Sequence, residues 1–349
     1  YQLHDVYRSL NVLGKECDLI QSETYRNSHL VGKRNDKLLF YDCTNYYFEI
    51  EDEDGIKRYG KSKEHRPNPI AQMGLFMDKD GIPLSMCITS GSDNEQTTAI
   101  PLEQKLITMF KGKKFIYCAD AGLGSFNIRN FNSMGGRAFI VTQSIKMLSN
   151  TLKEAVFSDI DYRLLSNDKP ATIKQMKDFD RFDKSNASLY EDRIYKIIPA
   201  DKAFDLGLYE EKMCKNGTVR KIKSKAIIPQ KIIVSFSRKM MEYQRFVRNR
   251  QIERAKKLLT NIDPEAYKKG ANDITRFIKR TTTTRSGEET VDTYELNLDV
   301  INEEEKYDGF YAVATNLNDS AKYILEISSN RYKIEDCFRV MKTNFSARS

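Results

Sequence analysis

Phe115-Ile-Tyr-Cys-Ala-Asp120-Ala-Gly122-Leu-Gly124-Ser125 is the stretch on which the fold turns. A short β-prone run ends in an aspartate, two glycines make a turn, and Ser125 or Asn127 opens a helix. A strand ending this way projects its aspartate into the crevice where open α/β sheets bind ligands. Gly122 and Gly124 read as turn glycines, wrongly spaced for a phosphate-cradling loop. Upstream, Leu38-Leu-Phe-Tyr-Asp42-Cys-Thr44-Asn-Tyr-Tyr-Phe48 is another β-prone run, with an aspartate inside it. An aspartate among apolar neighbours is costly unless it is paired or liganded.

Outward from these two runs, strands are expected at about 38–50, 70–77 and 82–89, the last two joined by the hairpin signal Asp78-Lys-Asp-Gly81. A helix over 94–110, strand 115–119, helix 125–134 and strand 137–143 come next, and a further strand at 309–315. Residues 1–30 read as helical, with Leu3, Val6, Leu10, Leu13, Cys17 and Ile20 at helical spacing. The last helix begins near Asn318 or Asn330 and contains Asn330-Arg-Tyr-Lys-Ile-Glu335-Asp-Cys-Phe-Arg-Val-Met-Lys342. At about 100° per residue, Arg331, Glu335 and Lys342 fall within roughly 40° of one another, beside an apolar stripe of Ile334, Phe338, Met341 and Phe345. One edge of the helix then presents a carboxylate between two cations. That edge suits a metal and a phosphate, or is a solvated face and nothing more.

Asp120 and Glu335 lie 215 residues apart, far more than one helix and one strand need. Residues 148–300 therefore read as an insertion, mostly β with one long helix. It holds Tyr162-Arg-Leu-Leu, Arg193-Ile-Tyr-Lys-Ile-Ile198, a basic strand from Lys231, a hairpin end from Thr281 through Arg285 into Ser286-Gly-Glu, and a strand at 293–298. The long helix, 237–259, carries Arg238, Lys239, Arg245, Arg248, Arg250, Arg254, Lys256 and Lys257 against only Glu242 and Glu253. Such an excess suits phosphate contacts, with Lys239, Arg245 and Arg248 as candidates, or a solvated face whose aliphatic stems cover the core. Tyr243, Phe246, Val247, Ile252, Leu258 and Leu259 are its expected buried side.

The order Asp-x-Thr at Asp42, Ala-Asp-Ala-Gly at Asp120, then Arg-x3-Glu-x6-Lys from Arg331 to Lys342 resembles the DDE transposases of bacterial insertion sequences. It is most similar to the group whose third motif reads Tyr-x2-Arg-x3-Glu-x6-Lys. Gly60-Lys-Ser-Lys-Glu-His65-Arg66-Pro67, Met73-Gly-Leu-Phe and Asp308-Gly-Phe-Tyr-Ala-Val-Ala-Thr315-Asn add to the likeness, which runs from about residue 38 to residue 345. The family tyrosine falls on Ser328.

The resemblance implies an α/β fold with a ribonuclease-H-like mixed sheet, helices on both faces, and an insertion that contacts the DNA end. The implied parts are a helical segment 1–37, a core over 38–147 and 301–349, and the insertion 148–300. It implies Asp42, Asp120 and Glu335 as catalytic metal ligands for two Mg²⁺, with Mn²⁺ as substitute. Two divalent ions about 4 Å apart serve an in-line displacement at phosphorus. In that arrangement Asp42 bridges both ions, and Asp120 and Glu335 complete one each. Arg331 and Lys342 would hold the DNA end, and His65 and Arg66 either touch DNA or cap the strand entry. The implied activity is endonuclease cleavage at transposon ends and strand transfer by the freed 3′-hydroxyl into a double-stranded target, by a homodimer on paired ends. A ribonuclease-H-like nuclease without strand transfer, and an inactive relic that only binds DNA, are the alternatives. The family carries a DNA-end-binding region before the core and more helix after the glutamate, so this chain is expected to lack terminal parts.

Composition agrees with that class. Of 349 residues, 40% are hydrophobic, enough for two domains or one with a large insertion, and the net charge of +8 favours an anionic partner. Six cysteines without a Cys-x2-Cys pair and only three histidines argue against structural zinc and for reduced thiols. No run approaches the roughly 18 apolar residues of a membrane span. The expected location is the bacterial cytoplasm, at the nucleoid.

Overall fold

The computed structural model describes residues 2–109, 114–214, 218–260, 274–284 and 290–345. Two helices come first, α1 (Leu3–Lys15) and α2 (Cys17–Val31). The apolar spacing does make α1 amphipathic, yet it buries no residue, and Leu3, Val6, Leu10 and Leu13 are exposed. The anchor is Tyr25 of α2, buried with its hydroxyl donating to Asp36.

Three antiparallel strands follow, β1 (Leu38–Tyr47), β2 (Ile70–Asp78) and β3 (Pro83–Ser90), with β1 paired to β2 from Leu39↔Asp78 to Tyr47↔Ile70. The Asp78-Lys-Asp-Gly81 turn forms as read. Asp78 Oδ1 accepts the N–H groups of Asp80 (3.0 Å) and Ile82 (2.9 Å), and Gly81 takes φ +86, where a glycine is favoured. The other Asp78 oxygen takes Arg34 Nε at 2.7 Å, so this buried carboxylate is fully paired.

Next come α3 (Glu95–Met109), β4 (Ile116–Ala119), α4 (Phe126–Asn132), β5 (Ala138–Thr142) and α5 (Asn150–Phe157). The chain continues through β6 (Arg163–Leu164), α6 (Ile173–Asp178), α7 (Ala187–Glu191), β7 (Ile194–Pro199), the hairpin β8 (Tyr209–Met213) and β9 (Val219–Lys223), and β10 (Lys231–Phe236). It closes with α8 (Arg238–Leu259), the hairpin β11 (Ile278–Thr284) and β12 (Thr290–Leu296), α9 (Leu298–Glu305), β13 (Phe310–Thr315), α10 (Ala321–Ser329) and α11 (Tyr332–Thr343). Of the two starts read for the last helix, near Asn318 or near Asn330, the second fits α11, and a separate helix α10 precedes it.

The main sheet is mixed and has nine strands in the order β3-β2-β1-β4-β5-β13-β10-β7-β6, with β1, β4 and β5 parallel and β13 antiparallel to β5. Within the span read as an insertion, β6, β7 and β10 join the main sheet, while β8–β9 and β11–β12 form separate two-stranded sheets. β10 is buried along all but its first residue and, Ser235 apart, that buried run is apolar, as befits a strand covered on both faces. The chain divides into one unit of 1–156, 197–233 and 312–349 and another of 157–196 and 234–311. The boundaries read at 37, 147 and 300 do not coincide with these, and the second unit carries α6, α7, α8 and α9 beside its strands. Arg285 and Ser286-Gly-Glu lie outside the described residues.

In the first unit Tyr41, Phe76 and Tyr117 cluster with ring centroids 4.5–6.1 Å apart, each ring buried for about 1.5–3 kcal/mol. Glu103 of α3 is also buried there. Asn132 Nδ2 donates to its Oε1 at 3.1 Å, while its Oε2 and Asn132 Oδ1 have no partner among the described residues. Burial pushes the Glu103 carboxyl up to about 8 from 4.5, and a proton on Oε2 would turn one of two orphaned acceptors into a donor. Because the folded value lies above the unfolded one, stability is full below about pH 4.5 and falls as pH rises toward 8. Glu103→Gln is expected to remove that slope, adding about 3 kcal/mol at pH 7 in urea unfolding. A variant no more stable than its parent at that pH contradicts this account.

In the second unit α8 is capped by Ser237, whose Oγ accepts the Met240 N–H, and it buries Met241, Arg248 and Ala255, with Ile252, Leu258 and Leu259 partly covered. Tyr243, Phe246 and Val247, read as its buried side, are exposed instead. The buried seam steps by seven residues through 241, 248 and 255, and those three lie off it. Gly309 packs against the start of this helix with φ +83. A Cβ there would stand 2.6 Å from Phe236 Cε2, 2.8 Å from Ser237 O and 2.9 Å from Met241 Cβ. Gly309→Ala therefore combines a left-handed backbone with overpacking and should lower unfolding free energy by about 3 kcal/mol. A loss below about 1 kcal/mol would show that the neighbours yield easily.

Candidate active site

Residues 38–40 of β1 pair with 116–118 of β4, and 116–119 pair with 138–141 of β5. Carried on in the same register, Asp42 in the middle of β1, Asp120 just past the end of β4 and Thr142 at the end of β5 share one row across three parallel strands, neighbours about 5 Å apart. Tyr41 and Cys43 face α3, where the Tyr41 hydroxyl meets Thr98 Oγ1 at 2.6 Å. Asp42, Thr44 and Tyr46 alternate to the opposite face, against which α11 packs.

α11 runs along that face. At its start Arg331 Nη1 donates to Thr142 Oγ1 at 3.3 Å. Near its end Lys342 Nζ lies 5.4 Å from the Tyr46 ring centroid and 3.2 Å from Glu64 Oε1. From Arg331 to Lys342 is about 16 Å of helix, and from Asp42 to Tyr46 about 13 Å of strand, so the two run side by side. Glu335, one turn beyond Arg331, is exposed.

Asp42 is strongly perturbed by its surroundings. Burial pushes it up to about 6 from 3.8; Lys63 and the Cys43 N–H pull it down, Asp120 pushes it up, and Arg331 pulls it down. Its Oδ1 accepts the Cys43 N–H at 2.7 Å, and Asp120 Oδ1 accepts the Leu123 N–H at 3.0 Å. The structure thus brings Asp42, Asp120 and Arg331 together. It does not add Glu335 to them: among the described residues no three acidic, histidine or cysteine side chains gather into a metal-holding group. Carboxylates brought together without a cation repel one another.

In the loop that faces this row, sequence reading singled out His65 and Arg66 but not Lys63 and Glu64. Lys63 Nζ donates to the Cys43 carbonyl and lies 3.3 Å from Glu95 Oε1, while the next residue, Glu64, pairs with Lys342. The quoted Gly60-Lys-Ser-Lys-Glu run was the available signal. His65 and Arg66 of the same loop are exposed, His65 at φ +56 and Arg66 5.1 Å from the Tyr47 ring centroid. Thr44 and Ser328 are buried.

A buried cation was missed as well. Arg129 is 2% exposed and donates to three neutral oxygens, Gly124 O (2.8 Å), Gln230 Oε1 (3.0 Å) and Gln143 Oε1 (2.8 Å). Burial pulls it down to about 9. It lines a cavity of about 350 Å³ that Ala121 and Thr142 also border, next to the carboxylate row. A single arginine on a short helix gives no pattern that sequence reading could detect.

The α8 candidates fare differently from one another. Arg248 is 5% exposed and gripped by both oxygens of Asp308 at 2.6 and 2.7 Å, with Glu305 at 3.2 Å, so it is a structural ion pair and not a phosphate contact. Arg245 stands 3.5 Å from Asp308 and is about half exposed. Lys239 pairs with Glu191 at 2.7 Å in an exposed bridge, a weak tie that leaves it accessible.

All six cysteines are free thiols, and among the described residues no helix is long and apolar enough to cross a membrane. No protein-family model matches the chain, and no curated protein matches it.

Proposed function

We propose that the chain is a DNA-processing enzyme of the DDE transposase type, built on a ribonuclease-H-like core of β3-β2-β1-β4-β5. The observation that carries this reading is the row of Asp42 and Asp120 on adjacent parallel strands, with Asp42 raised chiefly by burial and further by Asp120, and Arg331 alongside. A desolvated carboxylate beside another is a poor resting place for two negative charges and a good one for a divalent cation. The donors are hard oxygens with no thiol or imidazole among them, which fits Mg²⁺ or Mn²⁺. Asp42 and Asp120 would hold the ion, and Glu335 joins them when DNA is bound. A divalent ion held by these carboxylates would supply activation of the attacking oxygen and stabilisation of the leaving one.

The remaining work falls to the chain's own cations. Arg331 lies beside the row and orients the scissile phosphate. Lys342, released from Glu64, takes a phosphate further along the same strand. Lys63 screens Asp42 in the absence of DNA and metal. The substrate is double-stranded DNA, transposon end and then target, handled by a homodimer in the bacterial cytoplasm. The exposed Glu335 favours one rival, a relic that binds DNA without cutting it.

A strand-transfer assay separates the readings. With a pre-cut end bearing a 3′-hydroxyl, the transposase reading expects Mg²⁺-dependent joining to target DNA. Cleavage without joining leaves a plain nuclease, and binding without either leaves the relic.

A further inference from the structure

Five of the eight cations of α8 are spoken for. Arg238 pairs with Glu242, Lys239 with Glu191, Arg245 and Arg248 with Asp308, and Lys256 with Glu253. The other three, Arg250, Arg254 and Lys257, are exposed and have no carboxylate partner among the described residues. They follow one another at steps of four and three, so they lie on one face of the helix. The same face continues toward the N-terminus with Val247, Phe246 and Tyr243, the last two 58% and 63% exposed. Arg250 already rests over the Phe246 ring at 5.8 Å. The stripe is about 21 Å long. It is held rigid from behind by Met241, Arg248 and Ala255 on the buried side.

We infer that this stripe binds single-stranded DNA. Three unpaired cations in line suit a run of phosphates, and their charge complements that backbone. Two exposed rings in the same line have no use for a duplex, whose bases are stacked inside. Unpaired bases offer faces on which Tyr243 and Phe246 stack, without regard to sequence. Interleaved aromatic and basic side chains of this kind are how single-strand surfaces combine affinity with sequence tolerance. The inference goes beyond the metal site and takes from the proposed function only its setting, a protein that handles opened DNA ends.

The test is fluorescence anisotropy in EDTA with a labelled oligothymidylate of about 20 nucleotides and a duplex of the same length, long enough to cover the stripe. Tyr243→Ala/Phe246→Ala is expected to weaken single-strand binding at least about tenfold and duplex binding less than about threefold. Arg250→Gln/Arg254→Gln should weaken both and flatten the salt dependence by about one to two in log–log slope. Both pairs are on the surface, and unchanged melting temperatures would show that folding is intact. Single-strand affinity unaltered by the aromatic pair, or absent in the parent, overturns the inference. A self-association lost with the aromatics while strand affinity stays constant would make the stripe a contact between copies instead. A chain that binds the strand through this stripe and never cuts DNA upholds the inference and removes the transposase reading. One that cuts DNA but binds strand equally well without the stripe does the reverse.

Discussion

Asp42→Asn is expected to abolish DNA cleavage and, in the same protein, to raise stability. The carboxyl is pushed up to about 6 from 3.8, chiefly by burial. The fold therefore holds the ionised form poorly. The sign follows from the folded value lying above the unfolded one. The stability associated with the protonated form is full below 3.8, and it is lost as pH rises through about 6. At pH 7 the penalty amounts to about 2–3 kcal/mol, and asparagine, with no charge to desolvate, does not carry it. Thermal or urea unfolding across pH 3 to 8 should show parent and variant alike at the acid end and the variant ahead at the neutral end. Cleavage should fall at least about a thousandfold, the loss of a ligand that contributes several kcal/mol of charge stabilisation. A residue kept at a cost to stability and required for activity is a site residue. If Asp42→Asn is instead less stable at pH 7, Asp42 is a paired structural charge and the proposed site loses its centre.

Asp308→Ala should be the most destabilising single change in the second unit, by about 3–5 kcal/mol. Arg248 is buried, and its charge is balanced by the bidentate Asp308 contact, with Glu305 a longer and more exposed second partner. Its Nε is buried with no partner among the described residues. A guanidinium keeps its proton at any working pH, so the charge stays when the partner goes. Removing both ends together, as Arg248→Met/Asp308→Leu, should return most of the loss, because the penalty belongs to the unpaired charge. Urea unfolding of the two variants checks this. An Asp308→Ala protein within about 1 kcal/mol of the parent would mean that water reaches Arg248 and the pair is not sealed. It would also restore Arg248 as a candidate for contact with DNA.

The strands near the site were legible because their signals are local. Asp120 at the end of a β-prone run, the Asp78-to-Gly81 turn, and the alternation of Asp42, Thr44 and Tyr46 each follow from backbone chemistry over a few residues. β10 was harder. Lys231-Ile-Ile-Val234 looks the same whether it builds an inserted sheet or joins the main one, and only long-range pairing decides. On α8 the count of charges was legible but their partners were not. Arg248 and Arg250 are two residues apart in sequence, yet one is buried against Asp308 and the other is exposed, a difference set by the distant segment that carries Asp308. Tyr243 and Phe246 were misplaced for a related reason. A helix with apolar residues on two sides does not announce which side is covered, and here the covered one includes an arginine. Lys63 and Glu64 sit in a loop whose position depends on β1 and α11 together, and no spacing rule reaches that far.

The central claim is that Asp42 and Asp120 share a divalent metal. Anomalous scattering from Mn²⁺-soaked crystals at about pH 8, where Asp42 is ionised, tests it most directly. The account predicts a Mn²⁺ peak within about 2.3 Å of an oxygen of each aspartate, lost in Asp42→Asn. A peak elsewhere, or none between two ionised carboxylates in well-ordered crystals, would contradict it.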